Sequence, residues 1–252
     1  MVKGLGLFKE HFRPYTDRYV LIGGTACDLA FEEAGLSFRA TKDLDIVLCI
    51  EALDRKFAEA FWEFVNAGGY KIQQKATGSK QFYRFKKPST EGYPFMLELF
   101  SRAPDMLRLA DDSHLTPIPT EEEVASLSAI LLDEDYYHFL HSGKKVLDGL
   151  SFIGPEHLIP LKVRAWLALT RQKKRGVKID RRSVKKHKND VFRLYQILNP
   201  DYDGEIPEKV KDDLREFISH MRTEKIDFKS LGLDSMDLGS VLLDIRKIYN
   251  LG

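Results

Sequence analysis

Two aspartates two residues apart, Asp43 and Asp45, stand at the head of the run DLDIVL. On a strand that spacing points both carboxylates to one face, while Leu44, Ile46 and Leu48 take the other. Aspartate is depleted in strands, so a pair at a strand start calls for a reason. Carboxylate oxygens suit a hard cation such as Mg²⁺, which leaves positions free for substrate phosphates. A solvated strand end would also tolerate the pair. Upstream, Gly23-Gly24-Thr25 closes an apolar run. A glycine turn that opens a helix presents backbone N–H groups, and phosphate suits that place. Glycine pairs are equally at home in plain turns.

The elements that must position these groups follow from the flanking pattern. Tyr19–Ile22 is short, apolar and β-prone, as a buried strand should be. Thr25 is expected to cap a helix that starts at Ala26. Leu29, Ala30, Ala34 and Leu36 form its rough apolar face, with Asp28, Glu32 and Glu33 opposite, and Gly35 ends it. A later strand over Tyr93–Phe100 places Phe95, Leu97 and Leu99 on one face and Met96, Glu98 and Phe100 on the other. A buried carboxylate without a partner is costly. Glu98 therefore needs either metal beside Asp43 and Asp45, or Arg84 or Arg102.

Taken together, a Gly-Gly turn, a helix and a D-x-D strand resemble the nucleotidyltransferase superfamily that includes DNA polymerase beta. GGTA followed by RATKDLDIVL is more closely similar to its AbiEii-type branch, bacterial proteins known largely as toxins of toxin–antitoxin pairs. The stretch from Gly24 to Asp43 is longer than that branch's pattern. The resemblance implies an α+β nucleotidyltransferase fold, a small mixed β-sheet flanked by helices, followed by a C-terminal helical domain. It implies two Mg²⁺ ions on Asp43 and Asp45, with Glu98 as a third carboxylate. Gly23, Gly24 and Thr25 would cradle the β- and γ-phosphates of a nucleoside triphosphate, with Arg39 assisting. Further along it implies a triphosphate-binding lysine and a catalytic aspartate, or a partner to it. These map to Lys162 in PLKVRAWLAL and Asp190 in KHKNDVFRLYQIL, where Lys188-Asn189-Asp190 stands in place of a Lys-Asp pair. An acid near a helix start is also simply favoured by the helix dipole.

Composition bounds what else the chain can be. Its 252 residues, 43% hydrophobic and 31% charged, are those of a soluble globular protein of one or two domains. No apolar run reaches membrane-spanning length. MVKGLGLFKEHF lacks the apolar core of a signal peptide, and a cytoplasmic location is expected. Cys27 and Cys49 are expected as reduced packing residues. The seven histidines show no metal-ligand spacing.

Two domains are expected, 1–152 mixed and 153–252 helical. In the first, Phe8–Arg18 reads as a leading helix and Leu53–Ala67 as a helix burying Phe57, Phe61, Phe64 and Val65. Tyr70–Ala76 and Gln81–Lys86 read as paired strands around a turn at Thr77–Ser79. Glu121–Val124 reads as a helical turn. Ala129–Leu132 and Tyr136–His141 read as strands, and Lys145–Leu150 as a short extended piece. Helices are expected over His157–Leu169, Val184–Leu198, Pro207–Met221 and Ser235–Tyr249.

Within the helical part, Arg171–Lys188 holds ten Lys or Arg and one acid, Asp180. Its net charge is +9 against +1 for the whole chain, so the remainder carries −8. Such asymmetry suits a polyanion, RNA above all, although a solvated helical tip would look the same. The reading that unites these features is Mg-dependent transfer of a nucleoside monophosphate from an NTP to a hydroxyl acceptor. That acceptor is expected to be RNA, such as a tRNA 3′ end. A toxin of this kind would have an antitoxin protein as partner. The alternatives are an inactive nucleotide-binding module and an enzyme modifying a protein or a small molecule of the aminoglycoside type.

Overall fold

A computed structural model describes residues 2–41, 43–49, 54–72, 82–100 and 133–252. The described chain divides into two compact units. One comprises the described residues through Phe100 together with Gly143–Gly154; the other comprises residues 133–142 and 155–252.

The first unit is a mixed sheet with helices. Its strands are β1 (Tyr19–Ile22), β2 (Asp43–Leu48), β3 (Lys71–Ile72), β4 (Phe82–Lys86), β5 (Met96–Phe100), β6 (Lys144–Leu147) and β7 (Leu150–Ile153). They lie in the order β3-β4-β5-β2-β1-β7-β6. β2 runs antiparallel to β1 and parallel to β5; β7 runs parallel to β1. The central strands are apolar on both faces, with Val20, Ile22, Val47 and Phe100 buried on the Asp45 side and a larger set on the other. Tyr19, Leu21, Leu44, Leu97, Leu99 and Phe85 are each fully buried. On that face Phe8 and Phe12 of α1 (Leu5–Phe12) pack on Tyr19. Phe61 and Trp62 of α3 (Arg55–Gly68) pack on Phe85. Asp54 caps α3 by accepting from Phe57 N–H at 2.9 Å, and Gly69 ends it in the left-handed region. The leading helix is shorter than expected, since Pro14 sits in a 3₁₀ turn directly after it.

The antiparallel pairing of β3 with β4 is as expected, while the turn at 77–79 lies outside the described residues. So do the expected elements at 121–124 and 129–132. Near the second unit one expectation is overturned. Tyr136–His141 is not a strand but part of α4 (Glu134–Ser142). Its aromatic content is β-prone, yet Tyr136, Tyr137, Phe139 and Leu140 are the buried residues, a helical repeat, and Glu134 and Asp135 favour a helix start. The piece expected to be extended at 145–150 is instead a hairpin bend, from β6 through a turn into the first residue of β7. Asp148 and Gly149 turn it with φ of 49° and 76°, the type I′ geometry that Asp-Gly favours.

The second unit is helical throughout: α4, α5 (Pro155–Lys174), α6 (Arg181–Tyr195), α7 (Glu208–Met221) and α8 (Leu238–Ile248). Its core gathers Trp166, Phe192 and Phe217. Pro160 lies inside α5 and cannot donate to the carbonyl of Glu156 one turn back. Tyr249 supplies the missing donor, its hydroxyl reaching Glu156 O at 2.9 Å. Asp213 is held by Tyr136 Oη at 2.7 Å and by Arg164 Nη1 at 2.9 and 3.1 Å. Among the described residues no helix is long and apolar enough to cross a membrane.

Candidate functional site

The edge of the first unit where β1 ends and β2 and β5 begin carries the predicted chemistry. α2 (Gly23–Glu33) starts one residue after β1. Its start is earlier than expected and has no side-chain cap. Thr25 is not the cap: fully buried, it donates its hydroxyl to Asp43 O at 2.8 Å and ties the first turn of α2 to the head of β2. The helix ends as expected around Gly35, with Leu36 N–H returning to Phe31 O.

Gly23 has φ of +66°, and a Cβ there would lie 1.8 Å from Asp45 Oδ2. The backbone of the turn thus approaches the carboxylate as closely as only glycine allows. At Gly24 a Cβ would lie 2.5 Å from Thr41 Oγ1. The glycine pair is a cradle packed against side chains, with the first N–H groups of α2 beside it.

The sheet register sets the acids. Asp45 pairs with Ile22 on one side and with Glu98 on the other; Glu98 pairs in turn with Arg84. These cross-strand partners share a face, so Asp43, Asp45, Glu98 and Arg84 stand together. Asp43 and Asp45 are half-buried, Glu98 and Arg84 buried. Arg84 Nε and Nη2 both reach Glu98 Oε1 at 2.7 Å. Burial first, then the charge of Asp45 and a hydrogen bond with it, push the Glu98 carboxyl up to about 8, against the opposing pull of Arg84. Glu98 therefore keeps its proton to a higher pH than an ordinary carboxyl.

The residues fit a divalent cation of one kind. Among the described residues no three His, Cys, Asp or Glu form a group that could hold a metal. Asp43 and Asp45, two half-buried carboxylates on one face of β2, have oxygen donors and negative charge. That set fits a hard cation completed by substrate phosphate and water rather than an all-protein cage.

The remaining predicted residues are placed as follows. Arg39 is exposed; its guanidinium stacks 5.1 Å from the Phe38 ring and Nη1 reaches Ala40 O at 3.5 Å. Phe38, Ala40 and Thr41 line a cavity of about 420 Å³ with Asp28, Glu32, Leu36 and Ser37, beside the glycine cradle. Lys162 and Asp190 belong to the helical unit and come together there: Nζ lies 3.3 Å from Oδ2, with both side chains buried. Arg193 Nη1 lies 3.5 Å from Asp190 Oδ1. Arg102 lies outside the described residues. Sequence reasoning missed Thr41 as the neighbour of Gly24, and no spacing signals it. Cys27 and Cys49 are buried thiols.

In sequence, no protein-family model and no curated protein matches the chain. Among solved structures, the chain is similar to an antigenic nucleotidyltransferase-like protein from Paracoccidioides brasiliensis. The TM-score is 0.41 and the identity 14%, over 84% of this chain and 83% of that one.

Proposed function

We propose that the chain is a nucleotidyltransferase that moves a nucleoside monophosphate from an NTP to a hydroxyl acceptor. The observation that carries this reading is the close seating of Asp45 between the Gly23 turn and Glu98. A phosphate-sized anion at the first N–H groups of α2 would sit next to the carboxylates that need a cation. When bound, a divalent cation would supply the positive charge that favours an in-line displacement at phosphorus.

The chain's own residues divide the work. Gly23, Gly24 and Thr25 cradle the β- and γ-phosphates, and Arg39 assists from the loop. Asp43, Asp45 and Glu98 would hold Mg²⁺. A carboxylate of the site takes the acceptor hydroxyl's proton as that oxygen attacks the α-phosphorus, and the α-phosphorus–oxygen bond to pyrophosphate breaks as the new ester forms. By the AbiEii resemblance, Lys162 of the helical unit is the triphosphate-binding lysine, and Asp190, paired with it, is the catalytic aspartate or its partner. Most of the rate enhancement comes from positioning and electrostatics. The similarity of GGTA and RATKDLDIVL to AbiEii-type enzymes supports an RNA acceptor, such as a tRNA 3′ end, a cytoplasmic site of action, and a toxin role opposed by an antitoxin protein.

A second reading has its own observation. Two nitrogens of Arg84 already engage Glu98 Oε1, which suits a nucleotide-binding module without turnover. Incubation with each α-labelled NTP, Mg²⁺ and total RNA separates the two, beside Asp45→Asn. Transfer of label to RNA that drops at least about 10²-fold in Asp45→Asn supports the enzyme. NTP binding with no transfer to RNA, protein or small molecules supports the module.

A further inference from the structure

The basic segment Arg171–Lys188 spans the end of α5, residues 175–180 and the first half of α6. Its cations are displayed rather than used. Arg171 pairs with Glu216 and Lys188 with Glu224. Among the described residues the other eight have no carboxylate partner, and all eight are exposed. The one acid, Asp180, is spent on the helix: its Oδ1 accepts from Arg182 N–H at 2.9 Å and caps α6.

α6 is built against its own local preferences. Its first turn contains no acid and begins with Arg181 and Arg182, where the helix dipole disfavours cations. Arg181 with Lys185, and Arg182 with Lys186, are like charges at i,i+4, each costing a few tenths of a kcal/mol. The fully buried residues of α6 are Asp190, Val191, Phe192 and Leu194, all in its second half. In the first half Val184 and His187 are only half-buried, while Arg181, Arg182, Lys185 and Lys186 are exposed. An anion lying along it would relieve both penalties.

We propose that this helical tip binds the phosphate backbone of a nucleic acid. Arg175, Arg181 and Arg182 offer planar forks that match phosphate oxygens, and the lysines offer point charges between them. No aromatic residue lies within the segment, so contact is to phosphate rather than by base stacking. A membrane is the poorer fit, because Val177 is the one large apolar side chain exposed along the segment. The use of this tip to present an RNA acceptor rests on the transfer reading above; the binding itself does not.

The test is fluorescence anisotropy with labelled single-stranded RNA and the full chain, without nucleotide or divalent cation. If about six phosphates are contacted, affinity falls roughly 10²- to 10³-fold between about 50 and about 200 mM KCl. The variant Arg181→Gln, Arg182→Gln, Lys185→Gln, Lys186→Gln lowers the log–log salt slope by about 3. Its melting temperature stays at or above the parent's, since repulsion is removed. Lys225→Gln with Lys229→Gln, exposed cations elsewhere in the unit, leaves the slope unchanged. Single-stranded DNA of the same sequence binds with a similar slope. Absence of RNA binding at about 50 mM salt, equal binding by the quadruple variant, or preference for polyglutamate or phosphatidylserine vesicles would overturn the proposal. Intact RNA binding with no NMP transfer sinks the transfer reading alone.

Discussion

Gly23 and Asp45 share a space that holds only one side chain. A methyl group on Gly23 would fall 1.8 Å from Asp45 Oδ2, and the backbone there is in the left-handed region. The end of β1 and the carboxylate of β2 are thereby locked in register, since Ile22 and Asp45 are also cross-strand partners. Gly23→Ala is expected to cost about 2–4 kcal/mol, from positive φ and from the displaced carboxylate. Gly35→Ala also has positive φ but open space around it, so it should cost only about 1–2 kcal/mol. Denaturant melts give the stabilities. NTP titration should show binding lost in the first variant and kept in the second.

Arg84 is the cation beside Glu98, with two nitrogens on Oε1 at 2.7 Å. Arg84→Met leaves Glu98 buried without its cation and should cost about 3 kcal/mol. Adding Glu98→Gln should recover much of the loss. A double-mutant cycle by urea denaturation gives the coupling energy, and a coupling near zero would contradict the ion pair.

Lys162 faces the same arithmetic in the helical unit. Lys162→Met removes the ammonium 3.3 Å from the fully buried Asp190, and should cost about 3 kcal/mol. Combining it with Asp190→Leu should restore stability. NTP affinity of the stable double variant then reports the nucleotide role separately: a loss of at least about tenfold is expected.

His157 sets an acid limit on stability. Burial lowers its pKa from 6.5 to about 4, and its nearest polar contact is Ser142 Oγ at 3.4 Å. The unfolded chain takes up a proton below about 6.5, while the folded chain does so only near 4. The contribution is complete above 6.5 and is lost as pH falls through that window, in total about 3 kcal/mol. His157→Gln should flatten the stability profile there, measured by denaturation at several pH values.

Local signals were the ones legible in the sequence. The β1–α2 turn, the two-residue spacing of Asp43 and Asp45, and the helices with apolar stripes follow from nearest-neighbour sterics and periodicity. Thr25 was misread because a hydroxyl at a helix start usually caps it, whereas here a carbonyl on β2 competes successfully for the hydrogen. Tyr136–Leu140 was misread because aromatic β-propensity outweighed a helical burial repeat. Arg84 could be named as one partner for Glu98, but not chosen, since pairing across strands depends on register. The Asp148-Gly149 turn was visible in the sequence and was passed over.

The parallel pairing of β7 with β1 joins residues about 130 positions apart. Synthesis exposes β1 long before its second neighbour exists, and loop closure over that span must precede the reward of pairing. Until the hairpin docks, the nascent sheet ends on β1, whose side chains are the most apolar in the sheet. A chain stopped before Gly143 would keep that edge open permanently, offering a template for a second molecule. The late hairpin is therefore the fold's protection against self-association during its own assembly.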